Sequence, residues 1–255
     1  MPQFDAPILE FDPDPRAIVE PHRVILARGR APERAVMCFF RPVLDRLAAE
    51  GAPVIFELEA AHGVHPVYEV AVAGERIGVF HPGVGAPLAA GFMEEAIAHG
   101  VRRFMAVGTA GGLVPDLTLG HAVVATSAIR DEGTSYHYLP ASRSVDAPGA
   151  AVAALEAALR RHDVPYVTGP TWTTDGFYRE TRGKVERRVA EGCLTVDMEA
   201  SALFAVAAFR DVPLGLLLTT SDDLSGEAWS GFPDDPDHDV RWSMYRIAAE
   251  AVCAL

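Results

Sequence analysis

Basic charge, cysteine and long apolar runs are all scarce in this 255-residue chain. Lysine and arginine number 22 against 35 aspartates and glutamates, a formal net charge of -13 at pH 7. Such a surface repels phosphodiester backbones and anionic lipid, which argues against a nucleic-acid or membrane-surface role. Cys38, Cys193 and Cys253 stand far apart among apolar neighbours, as reduced thiols of a cytoplasmic protein do. No Cys or His cluster has zinc-like spacing, so no metal is expected. No segment approaches the roughly 20 consecutive apolar residues of a membrane-spanning helix. The opening MPQFDAPILEFDPDPR lacks the basic head and apolar core of a signal peptide. A cytoplasmic location is the expectation.

What the chain does have is a regular alternation. Residues 1–22, rich in Pro and Asp, read as an irregular arm, and 23–255 as one α/β domain without a linker or repeat. Short apolar β-branched runs at 35–40, 67–72, 76–81, 103–108, 122–130, 194–198 and 214–220 predict strands. Alanine-rich helical patterns fall at 42–51, 86–100, 149–163, 199–211 and 240–255. In the pattern at 149–163, Val152, Leu155 and Leu159 recur at helical spacing. Strands alternating with helices imply a twisted, mostly parallel or mixed central sheet flanked by helices. Chemistry in such folds sits where strands end at their carboxyl termini.

Five segments fall at those ends. HPGVGAPLAAG (81–91) carries Gly83 and Gly85 between a strand and a helix, whose first amides suit an anion or a hydroxyl. In VGTAGG (107–112), Gly108, Gly111 and Gly112 permit positive φ and close backbone approach, with Thr109 supplying a hydroxyl. In TVDMEASALF (195–204), Asp197 and Glu199 flank Met198. A carboxylate there can take both hydroxyls of a ribose diol, or it can favour the positive end of the helix dipole. LLLTTSDDLSG (216–226) places Asp222 and Asp223 after an apolar run, as a candidate general acid or an Asx-type turn. TWTTDGFYRETR (171–182) offers Trp172, Phe177 and Tyr178 as flat faces, with Asp175, Glu180 and Arg182 as polar edges.

Taken in order, HPGVGAP, VGTAGGLVP, IRDEGTSYHYLP, TWTTDGFY, VDMEASAL and TTSDD resemble the nucleoside phosphorylase family. That family includes hexameric purine nucleoside phosphorylase, uridine phosphorylase and related nucleosidases, and RDEGTSYHYLP is most similar to the uridine phosphorylase branch. The resemblance runs from about Ala35 to the C-terminus. It implies a single α/β domain that cleaves the N-glycosidic bond of a nucleoside, a purine by preference. It further implies inorganic phosphate as co-substrate, no cofactor, and a homo-oligomer, dimer or hexamer. Residue by residue, it implies that Glu199 binds the ribose hydroxyls and Met198 packs on the sugar. Phe177 stacks on the base with Arg182 near it, Asp222 protonates the departing base, and Thr109 touches phosphate or ribose near Gly83, Gly85 and Gly108.

The sequence departs from that pattern at the phosphate. Phosphorolytic members carry an arginine two residues before the glycine of the VGT step, and here Ala106 stands there. A second arginine closes a turn in which this chain has Phe40 and Leu44. A third, from a neighbouring subunit, corresponds to 62–66, where His62 and His65 are the substitutes; Arg41 and Arg46 lie nearby. A phosphate dianion without such a clamp loses charge-assisted binding. A hydrolytic nucleosidase and a non-catalytic nucleoside- or base-binding homologue are therefore the alternatives.

Overall fold

Strand β1 (Arg34–Cys38) shows how the core is layered. Alternate residues of a strand point to opposite faces, and here Ala35 and Met37 enter one apolar cluster while Val36 and Cys38 enter another. The computed structural model describes residues 6–24, 31–61, 63–117, 119–231 and 238–255. The strands after β1 are β2 (Val54–Ala60), β3 (Gly63–Val72), β4 (Glu75–Phe80), β5 (Arg103–Gly112) and β6 (Ala122–Asp131). They continue as β7 (Ser144–Asp146), β8 (Tyr166–Thr174), β9 (Thr195–Asp197), β10 (Leu214–Asp223) and β11 (Ser230–Gly231). The helices are α1 (Pro21–Val24), α2 (Arg41–Ala49), α3 (Ala86–His99), α4 (Gly149–Arg161), α5 (Arg182–Ala190), α6 (Ala200–Arg210) and α7 (His238–Cys253). Among the described residues no helix is long and apolar enough to cross a membrane.

The eleven strands of the described residues form one mixed sheet, with order β11-β10-β6-β8-β9-β5-β1-β4-β3-β2 and β7 against β6. An additional parallel pairing of β10 with β5 closes β5, β10, β6, β8 and β9 into a ring. Helices α3 and α6 cover one face through Phe92, Met93, Leu203 and Phe204. The other face is covered by α2, α4 and α7 through Leu47, Leu155, Leu159, Ile247 and Val252. The result is a three-layer α/β domain.

One predicted feature changes, and the sequence reading does not contain β2, β8 or α5. The glycines at 108, 111 and 112 do not turn: β5 runs straight through Gly112, and none of the three has positive φ. Their role is room. A Cβ on Gly108 would sit 3.1 Å from Phe39, and one on Gly111 would sit 2.5 Å from Leu224. Strand β2 escapes an apolar pattern because it is a sheet-edge strand with Glu57 and Glu59 in it. Strand β8 is masked by Gly169, Pro170 and four threonines. Helix α5, RGKVERRVA, buries only Val185 and Arg188, so its apolar stripe is too thin to read.

Candidate active site

Register brings three strand ends together. Gly111 of β5 pairs with Val196 of β9, and with Asp222 of β10 across the parallel ladder. Thr109 lies opposite Thr219. The strand ends border a cleft of about 760 Å³, whose lining includes Thr109, Phe177, Glu180, Met198, Glu199 and Asp222. That volume suits a ligand of nucleoside size.

The two acids of TVDMEAS divide their work. Asp197 is buried and caps α6: it accepts from the N–H of Glu199 (2.8 Å) and Ala200 (2.7 Å) and from the hydroxyls of Thr171 (2.7 Å) and Thr173 (3.1 Å). Burial raises its carboxyl above the ordinary value, and the four donors pull the other way. Glu199 does not cap the helix. Its Oε1 reaches across the cleft to accept the N–H of Gly85 at 2.6 Å. Burial and then the Asp197 charge push the Glu199 carboxyl up to about 7, against the pull of the Gly85 and Met198 backbone.

Gly85 can meet it because the turn before α3 is built on positive φ, 80° at Gly83 and 92° at Gly85. A Cβ at Gly83 would also fall 2.1 Å from Leu88. His81 fastens this turn: its Nδ1 accepts the Gly83 N–H at 3.0 Å, and it donates to the carbonyl of Phe39. Burial, then the neighbouring His65, lowers the His81 pKa, so the ring serves as a neutral strut between two turns. Val84, flanked by these glycines, is the residue of the turn that reaches the cleft.

The pair after β10 divides in the same way. Asp223 accepts the Ser225 N–H at 2.7 Å in an Asx-type turn. Asp222 faces the cleft with both oxygens occupied, Oδ1 by the Ser221 hydroxyl and Oδ2 by the indole N–H of Trp229, each at 2.9 Å. Phe177, half-exposed, stacks at a tilt on Tyr178 at the rim. Arg182 is not in the cleft. Its guanidinium donates to the Leu224 carbonyl at 3.2 Å beside a smaller depression. From that segment it is Glu180 that lines the cleft. Trp229, Ser221 and Phe39 also line the cleft, and His81 holds the Gly83 turn. GEAWSG carries no periodicity or motif that would have singled out Trp229.

The corner beside Gly108 and Phe39 is apolar. Ala106 is fully buried beneath it, packed with Leu216 and Leu218. Arg41 pairs with Asp45 (2.7 Å) and Arg46 with Glu50 (2.8 Å), both on the outer face of α2. His65 is held within the chain, its Nδ1 3.1 Å from the His81 carbonyl and its ring edge-on to Phe92. His62 lies outside the described residues. Among the described residues that line the cleft, the charged ones are Glu180, Asp197, Glu199 and Asp222, and none is basic.

A family model described as the phosphorylase superfamily matches residues 33–254. The chain belongs to that superfamily. It is 31% identical to a uridine phosphorylase of Treponema pallidum over 223 residues, 79% of this chain and 86% of that one. It is 30% identical to a guanosine phosphorylase of Halorubrum lacusprofundi over 208 residues, covering 78% and 85%. Among solved structures, an AMP nucleosidase from Bacteroides thetaiotaomicron superposes with a TM-score of 0.69 at 21% identity, covering 87% of each chain. The fold of this superfamily member is thus shared with a nucleosidase as well as implied by phosphorylase relatives.

Proposed function

We propose that this superfamily member cleaves the N-glycosidic bond of a nucleoside, with purines favoured. The observation that carries the reading is one cleft shared by Glu199, fixed at the Gly85 turn, and Asp222, fixed between Ser221 and Trp229. Breaking the bond leaves positive charge on the sugar and negative charge on the base. Glu199 as carboxylate takes the ribose 2′- and 3′-hydroxyls and offsets the first. Asp222, as general acid, delivers a proton to a ring nitrogen and offsets the second, a contribution of about 10²–10⁴ in rate. Met198 packs on the sugar and Phe177 on the base. An acceptor oxygen then forms the new C–O bond at the anomeric carbon.

Relatives that are named phosphorylases supply phosphate as the default acceptor. The all-acidic lining favours a second reading, in which water is the acceptor: four acidic side chains and, among the described lining residues, no basic one disfavour a dianion. Purified protein and a panel of purine and pyrimidine nucleosides, with and without phosphate, test both. Base release only with phosphate supports phosphorolysis; release at an equal rate without it supports hydrolysis. No release under either condition overturns the reading, and saturable nucleoside binding alone would then mark a binding homologue. The same reading takes the protein as a homo-oligomer, dimer or hexamer, which sedimentation would measure.

A further inference from the structure

The hold on Glu199 is only as firm as the turn that supplies it. Gly83 and Gly85 both stand at positive φ, and glycine loses more conformational freedom on ordering than any other residue. A turn built on two of them needs a tie from outside to stay in one place. His81 is that tie. Its Nδ1 accepts the Gly83 N–H at 3.0 Å, the contact to the second residue on that an aspartate or asparagine makes in an Asx-turn. A neutral ring that accepts at Nδ1 carries its proton on Nε2, and this ring donates to the Phe39 carbonyl just past β1. The His81 carbonyl lies 3.1 Å from Nδ1 of His65 on β3, whose ring meets Phe92 of α3 edge-on. His81 is half-buried and does not line the cleft, so it acts through the residues it holds.

We propose that His81 is a positioning residue for the sugar end of the cleft: through the Gly83–Gly85 turn it keeps the Glu199 carboxylate in register with both hydroxyls of the ribose. This rests on the reading of the cleft as a nucleoside site and of Glu199 as the group that takes the diol. The relay is short. His81 fixes Gly83, and the Gly85 amide two residues later fixes Oε1 of Glu199 at 2.6 Å. A carboxylate pinned at one oxygen presents the rest of its acceptor surface in one direction. If the turn drifts, Glu199 keeps its charge and loses its aim. Hydrogen bonds weaken steeply with misalignment, and the loss falls on the ribose 2′- and 3′-hydroxyls.

The surroundings keep the ring in the form this needs. A proton on Nδ1 would set an N–H against the Gly83 N–H, donor facing donor. Burial, and then His65 on β3, hold the His81 pKa below the ordinary histidine value, and Arg41 on α2 acts in the same direction. The Phe39 carbonyl opposes them. At pH 8 the ring is therefore neutral, while Glu199, with a pKa of about 7, is mostly ionised. Both members of the relay are then in their working forms.

The test is the ratio of kcat/KM for a ribonucleoside over its 2′,3′-dideoxy counterpart at pH 8, with adenosine and uridine as the two cases. It is measured in the wild type, His81→Asn and His81→Gln. Asparagine puts an oxygen where Nδ1 stands and can accept from Gly83, whereas glutamine reaches the Nε2 position and can donate to the Phe39 carbonyl. The wild-type ratio should be about 100. His81→Asn should keep it, and His81→Gln should lower it about tenfold, with the dideoxy substrate unaffected. A role in packing alone would move both substrates together and leave the ratio where it was. An unchanged ratio in His81→Gln overturns the proposal, and so does a ratio that His81→Asn fails to keep. A wild type that does not distinguish the two sugars overturns the diol reading of Glu199, and the proposal with it. If no base is released, calorimetric affinities for the same pairs decide. The same pattern in affinity means that the catalytic reading falls and His81 stands; no pattern means that both fall.

Discussion

The two ends of the cleft are built on different plans. At the end proposed for ribose and base, Glu199 is anchored by the Gly85 amide and Asp222 by Ser221 and Trp229, all supplied by this chain. At the Phe39 corner the chain supplies rings, aliphatic carbons and backbone, with Ala106 sealed underneath. Positioning a polar group in a half-buried site requires partners for it, and only one end has been given them. The side chains proposed to grip a nucleoside are held by partners within the fold, whereas a basic side chain for a phosphate dianion is not found among the described residues of the lining.

The comparison breaks most visibly at Asp222. Replacing it by Asn should lower kcat by about 10²–10⁴ with KM changed only a few-fold, as measured by base release. A loss confined to KM would make it a binding group. Glu199→Gln comes next, with kcat/KM down about 100-fold through loss of charge-assisted bonds to the diol. This variant should also be more stable than the wild type at alkaline pH. A carboxyl raised from about 4.5 to about 7 binds a proton in the folded state that the unfolded chain has released, so folding stability falls as pH rises through that window. The neutral amide escapes the penalty. Denaturant titration should show a gap of up to about 3 kcal/mol at pH 8, closing below about pH 4.5.

Two smaller effects sharpen the contrast. Phe39→Arg places a cation in the apolar corner, and phosphate should then accelerate base release about tenfold over the wild type at the same concentration. No change would mean that the corner is not where an anion enters. Trp229→Phe removes a single donor to Asp222 and should reduce kcat by about 3–10-fold, with Phe177-side affinity for the base untouched in a binding titration.

Legibility followed the same division. Helices α3, α4, α6 and α7 and strands β1, β4 and β10 were readable because each buries an apolar face with its own period. What the sequence hid is structure set by distant neighbours. Gly108 and Gly111 are small on account of Phe39, Leu224 and Val196, none of which is adjacent in sequence, and so a strand reads as a turn. Asp197 and Glu199 look alike in TVDMEAS, and only tertiary contacts show one as a helix cap and the other as a cleft acid. Arg182 and Glu180 differ by two positions, and the fold turns the acid rather than the base towards the cleft. A single chain of letters cannot report which of two neighbours faces inward after a 3₁₀ turn.

The ring formed by β5, β10, β6, β8 and β9 has a bearing on how the protein comes apart. An edge strand of an open sheet can peel away by breaking one ladder, as β2 can from β3 at the far margin. A strand in a closed circuit must break two ladders at once, so opening there is all-or-none. Amide hydrogens of β2 and β3 should exchange by local fraying, while those of Val107, Val124 and Leu217 should exchange together and only on global unfolding. The residues proposed for chemistry hang from the part of the molecule that lets go last.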